Sequence, residues 1–233
     1  MTAAFILDEL LSMANPEKAV FLQRFFKTGP GQYAEGDVFL GLVVPLTRSI
    51  AKANKQTPLS ELQVLVESGY HEARLCALLI VMEQFKKASE GERKKLFEFY
   101  LKNTRFINNW DLVDVTCPHV VGAYLLDKDR SCLYELAKSE RLWEQRIAMV
   151  STVAFIRKGE YGDTLALAEM LMGHTHDLMH KAVGWMLREV GKKDRDTLTD
   201  FLELHATAMP RTALRYAIEH YPEDKRHYFL KKK

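Results

Sequence analysis

Three segments of this chain open alike: Arg74-Leu-Cys-Ala-Leu-Leu-Ile-Val, Arg146-Ile-Ala-Met-Val-Ser-Thr-Val and Lys181-Ala-Val-Gly-Trp-Met-Leu-Arg. Arg74 and Arg146 lie 72 residues apart, twice 36, and Lys181 follows Arg146 by 35. The member missing between the first two would begin at residue 110, where the chain reads Trp110-Asp-Leu-Val-Asp-Val-Thr-Cys, and a weaker copy starts at Arg211. A recurrence near 36 residues with two helices per unit is the mark of an α-solenoid, because one hairpin cannot bury its apolar face alone and must stack on the next. The expected fold is all-α: a superhelix of helical repeats with a concave groove, in a single domain over residues 1–233.

Helical periodicity fills most of the chain. It predicts helices over roughly 3–14, 16–27, 46–55, 58–68, 70–88, 90–104, 110–126, 131–139, 142–158, 162–173, 176–191, 194–208 and 211–220. Start signals support several of these, among them Asn15 before Pro16 and Ser89 before Glu90 and Glu92. Breakers are scarce, with 12 Gly and 7 Pro in 233 residues. The one β-like stretch is Val38 to Val44, ended by Pro45. Pro118 falls inside the 110–126 helix and should kink or split it, since it removes the hydrogen bond to the Asp114 carbonyl. Lys231 to Lys233 read as a frayed end.

Other classes are excluded by what the chain lacks. Its longest clean apolar run, Leu75 to Met82, is far short of the roughly 20 residues a membrane span needs. Its first residues carry acids inside the apolar stretch and no basic lead, so they do not read as a signal peptide. Cys76, Cys117 and Cys132 form no Cys-x-x-Cys pair and suggest reduced thiols in a cytoplasmic protein. A net charge of +2 announces no polyanion partner in bulk, so such a partner must be met by a local patch.

Stacked repeats bring equivalent positions to one surface. Arg74, Trp110, Arg146 and Lys181 hold the first position of each unit, and Leu78, Asp114, Val150 and Trp185 lie one helical turn later. Trp110, Asp114, Arg146 and Trp185 are thus expected on one face, with Arg188 extending it. Asp114 sits at the rim of the stripe Val113, Cys117, Val120, Val121 and Tyr124, where a half-buried carboxylate needs a cation, and Arg146 is the obvious candidate. Taken singly, each residue has a plainer use: indoles pack, and an Asp caps or pairs. His174, His176 and His180 straddle a loop with no Cys or Glu to complete a metal spacing. Gly29-Pro-Gly-Gln-Tyr-Ala-Glu-Gly36 lacks the lysine and the strand of a phosphate loop. No metal site is expected.

Ile107-Asn-Asn-Trp-Asp-Leu-Val-Asp114, Trp143-Glu-Gln-Arg146-Ile-Ala and Lys181-Ala-Val-Gly-Trp-Met-Leu-Arg-Glu189 resemble the AlkD-type DNA alkylation-repair glycosylases. Gly36-Asp-Val-Phe-Leu-Gly41 with Pro45 and Arg48 resembles that family's N-terminal signature, and the similarity runs from about residue 16 to 221. The resemblance implies HEAT-like helical pairs whose concave face holds double-stranded DNA. It implies hydrolysis of the glycosidic bond of alkylated purines such as N3-methyladenine and N7-methylguanine, without a cofactor and without a base-flipping pocket. Asp114 takes the catalytic aspartate's place, Trp110 and Trp185 those of the sugar-contacting indoles, and Arg146 that of the arginine near the lesion backbone. Arg74, Lys181, Arg188 and Arg48 are the expected DNA-binding cations. The family's aromatic in the second helix falls at Phe25 or Phe26, so a hydroxyl contact is absent here. A monomer is expected, since the groove must clasp duplex. The rival reading is a non-catalytic helical module that binds DNA structure or a protein partner.

Overall fold

The structure, a computed structural model, describes residues 1–232. Helices account for nearly all of its regular structure; the β-like stretch contributes only an isolated bridge between Val38 and Tyr70. By internal contacts the chain forms two compact units, Met1–Val120 and Val121–Lys233.

The first unit is built on α1 (Ala3–Ser12), α2 (Pro16–Phe25), α3 (Val44–Ala53), α4 (Leu59–Val66), α5 (His71–Phe85), α6 (Glu90–Lys102) and α7 (Trp110–Cys117). Its centre is α5, whose residues from His71 to Met82 are all buried, as expected of a helix apolar nearly all round. Helices α3, α4, α6 and α7 pack against it. The start signals hold: Asn15 accepts from the Lys18 N–H at 2.9 Å, and Ser89 and Glu92 form a capping box. Pro118 changes the helix type without interrupting the helical run: α-turns extend from Trp110 to Cys117, a π-helical segment covers Pro118–Gly122, residues 123–124 return to α, and a 3₁₀ turn, Leu125–Asp127, ends it.

The second unit comprises α8 (Ser131–Lys138), α9 (Leu142–Ser151), α10 (Val153–Ile156), α11 (Gly162–Leu171), α12 (Asp177–Lys193), α13 (Arg195–His205), α14 (Arg211–Ala217) and α15 (Glu223–Lys231). Helix α12 is its hub, packing on α9, α11, α13 and α14. Gly184 makes the α12–α14 approach possible: a Cβ there would lie 2.4 Å from the Ala213 carbonyl oxygen. Helix α15 was not expected. It is charged on most sides and buries Phe229, so its apolar stripe is too thin to register as a period. Lys231 ends this helix and Lys232 donates to the Glu203 carbonyl at 2.5 Å, where a frayed end was expected; Lys233 lies outside the described residues.

Candidate functional site

Helix α7 begins at Trp110 because Asn109 caps it, its side chain accepting the Trp110 N–H at 2.8 Å. The indole is half-buried against an aromatic column. It stacks on Phe26 with centroids 5.1 Å apart, Phe26 stacks on Phe39 at 5.0 Å, and the Phe39 ring lies 4.3 Å from that of His71. Phe25 meets Trp110 edge-on at 6.0 Å. These rings separate the two candidates for the N-terminal aromatic: Phe26 is 7% exposed, inside the column, whereas Phe25 is 53% exposed and faces outward. Asp114 lies one turn beyond Trp110 on α7 and is likewise half-buried. Nearby, the fully buried phenol of Tyr100 is pushed well above its ordinary range, chiefly by burial, with the charges of Cys117 and Asp114 adding to the effect.

Beneath the column lies a charge cluster that the sequence did not announce. His71 faces two carboxylates, Asp111 Oδ2 at 2.8 Å from Nε2 and Asp37 Oδ2 at 3.3 Å from Nδ1. Arg74 Nη2 approaches Asp37 Oδ1 at 2.7 Å, and Asn108 donates to the same oxygen at 2.7 Å. Burial opposes the imidazolium, yet the charge and hydrogen bond of Asp111, with the bond from Asp37, raise the His71 pKa overall. Burial likewise opposes the Asp37 carboxylate, but its bond to His71 and the Arg74 charge bring its pKa below the usual value. Arg74 itself is 5% exposed and also donates to the Ser68 carbonyl at 2.9 Å. Arg74, expected among the DNA-binding cations, has its guanidinium enclosed here as counterion to Asp37. The repeat register gave its face but not what packs over that face.

The Gly36-Asp-Val-Phe-Leu-Gly41 signature finds its physical reason here. The backbone N–H groups of Leu40, Gly41 and Leu42 all point at the buried Glu72 carboxylate, at 2.8, 2.9 and 3.0 Å. Gly41 adopts φ +86°, and a Cβ there would lie 2.1 Å from the Asn15 carbonyl oxygen. The segment is thus a loop fastened to α5 and not a strand, and Pro45 lies in the first turn of α3 rather than ending a strand.

In the second unit Arg146 is buried and donates from Nη1 to the Leu178 carbonyl at 2.5 Å, tying α9 to the first turn of α12. Trp185 is half-buried, its Nε1–H donating to Glu189 at 3.2 Å. Arg188 pairs with Glu219, and Lys181 with Asp177 at 2.7 Å. Arg48, on α3 of the first unit, is half-buried. The three loop histidines are engaged locally: His174 accepts from the His176 N–H at 2.9 Å, His176 from the Leu178 N–H at 3.1 Å, and His180 bonds the His174 carbonyl.

Among the described residues no group of His, Cys, Asp or Glu could hold a metal ion, and no helix is long and apolar enough to cross a membrane. Cys76, Cys117 and Cys132 are free thiols; burial, and secondarily the Glu9 charge, pushes Cys76 up to about 12. A cavity of about 320 Å³ opens beside Trp110, between α2, α3 and α5.

None of the curated proteins matches the chain. Among solved structures, a predicted DNA alkylation repair enzyme from Enterococcus faecalis superposes with a TM-score of 0.71 at 16% identity, covering 90% of this chain and 97% of the other, which establishes the likeness of fold. The family model described as DNA alkylation repair enzyme matches residues 6–221, nearly the whole length. With an all-α fold of packed helical hairpins and a match of that extent, the chain belongs to the DNA alkylation repair enzyme family.

Proposed function

We propose that this protein is a DNA N-glycosylase that releases cationic alkylated purines, N3-methyladenine and N7-methylguanine, from double-stranded DNA. The observation that carries the reading is the pairing on α7 of Trp110, braced from behind by Phe26, with the half-buried Asp114 one turn further on.

Alkylation at N3 or N7 leaves a positive charge on the purine. When the bond from C1′ to the base nitrogen breaks, its electron pair neutralises that charge, so the base departs without being protonated. The sugar is left oxocarbenium-like, water adds at C1′ and loses a proton, and the products are the free base and an abasic site. A carboxylate and electron-rich indole faces suit the cationic sugar. In this reading Asp114 stabilises C1′ and helps orient the water, while Trp110 and Trp185 contact the sugar. Arg146 stands near the lesion backbone, and Lys181, Arg188 and Arg48 meet phosphates. The ion pairs of Lys181 and Arg188 lie near the surface, where such pairs contribute only about 0–1 kcal/mol, so phosphate oxygens can replace the carboxylates. The reaction as written needs no cofactor, and the protein acts as a cytoplasmic monomer.

The test is release of 7-methylguanine from methylated duplex. Asp114→Asn should abolish release and leave duplex affinity within about threefold of the parent. Undiminished release by that variant overturns the assignment.

A further inference from the structure

We infer that His174 and His176 are positioning residues for Arg146, and that α12 is capped by an imidazole because that cap carries no charge. The inference rests on the glycosylase reading, in which Arg146 stands near the lesion backbone.

The arrangement centres on Leu178, in the first turn of α12. Its N–H donates to His176 Nδ1 at 3.1 Å, and its carbonyl accepts from Arg146 Nη1 at 2.5 Å. His176 is the N-cap of α12, so the turn it closes is the one whose carbonyl Arg146 reaches. His174 steadies the cap in turn. Its Nδ1 accepts the His176 N–H at 2.9 Å, while His180, further along α12, bonds the His174 carbonyl. Arg146 is 5% exposed, and a guanidinium so enclosed takes its direction from the groups that meet it.

These bonds also fix the state of the rings. A ring nitrogen that accepts an N–H carries no proton, so His174 and His176 are neutral, with their proton on Nε2. The pKa of His176 lies below its ordinary value, chiefly through burial; Asp177 opposes this, and the His180 and Arg146 charges add to it. His174 is lowered likewise, by burial first and then by His176 and His180.

Histidine is an unusual cap, since Ser, Thr, Asp and Asn are the preferred residues there. An aspartate would cap as firmly and would also suit the positive end of the helix. It would, however, set a fixed carboxylate near the guanidinium, where it competes with phosphate oxygens for the same donors. A neutral acceptor closes the turn and adds no counterion to Arg146. The next residue, Asp177, pairs with Lys181 at 2.7 Å.

Replacing His176 by Asn, Asp and Ala in the full-length protein separates capping from charge. The readouts are the denaturant midpoint, the slope of log affinity for methylated duplex against log salt, and release of 7-methylguanine. His176→Asn, a neutral cap, should preserve midpoint and slope and keep release within threefold of the parent. His176→Asp should keep or raise the midpoint, yet reduce the slope by about one and release at least tenfold. His176→Ala and His174→Ala, which loosen the turn, should each lower release at least threefold. Parental slope and release in His176→Asp would show that the cap is structural only and overturn the inference. A His176→Asn variant no better than His176→Asp, a lower midpoint in His176→Asp than in His176→Asn, or parental release by both alanine variants also overturns it. If the parent protein releases no 7-methylguanine, the glycosylase reading falls, and the salt slopes of the Asp and Asn variants still decide this inference.

Discussion

His71 Nε2 and Asp111 Oδ2 lie 2.8 Å apart inside the first unit, fixing the first turn of α7 to the first turn of α5. The His71 pKa is raised above its ordinary value near 6.5, so its contribution to stability is complete below that value and is lost as pH climbs through the folded-state pKa. Asp37, whose pKa is lowered, contributes above its ordinary value near 3.9 and loses that contribution as pH falls through the depressed one. Stability should therefore be highest between about pH 4 and 6.5 and decline on the alkaline side. Denaturant midpoints across pH 4 to 9 check this; a midpoint that is flat above pH 6 would refute it. Asp111→Asn should cost about 3–5 kcal/mol at pH 6 and flatten the alkaline decline.

The Phe26 ring connects the Trp110 indole to Phe39 and His71. Phe26→Ala should destabilise the protein by about 3–5 kcal/mol and lower excision with the indole no longer braced. Phe26→Leu, which fills more of the space, should restore most of the stability but not the excision rate. Recovery of both together would show that the column only packs.

Replacing Glu72 by Gln leaves three inward N–H groups facing a carboxamide that has one accepting oxygen and an amino group. The expected loss is about 1–3 kcal/mol, with faster amide exchange at Leu40 and Leu42 than in the rest of the unit. Unchanged exchange there would show that something else holds the loop.

The cations divide by surroundings. Arg188→Ala and Arg48→Ala should each reduce the slope of log affinity for duplex against log salt by about one, the signature of a lost phosphate contact. Arg74→Ala should leave the slope unchanged and lower the unfolding midpoint, because it uncovers the Asp37 carboxylate. A change of slope with Arg74→Ala would restore that residue to the DNA-binding set.

Much of the architecture was legible because periodicity and capping act within one turn of helix: Asn15 with Pro16, Ser89 with Glu92 and the change of helix type at Pro118 all depend on neighbours fewer than five residues away. What escaped depends on distant partners. His71 is a lone histidine in sequence, and its two carboxylates come from 34 residues before and 40 after. Arg74 occupies the same repeat position as Arg146 and Lys181, but only packing reveals that Asp37 covers it. Val38 to Val44 reads as a β-like apolar stretch, yet three of its N–H groups bond the Glu72 side chain, 30 to 32 residues away.

The Glu72 clasp also separates two kinds of failure on heating. Only one side chain secures the 40–42 backbone at these three points, and Phe39, which supports the rings behind Trp110, belongs to the same short stretch. Gentle warming that frees this stretch would slacken the indole while the helices elsewhere stay intact. Enzymatic inactivation should then precede the loss of circular dichroism, and cooling should restore it without refolding.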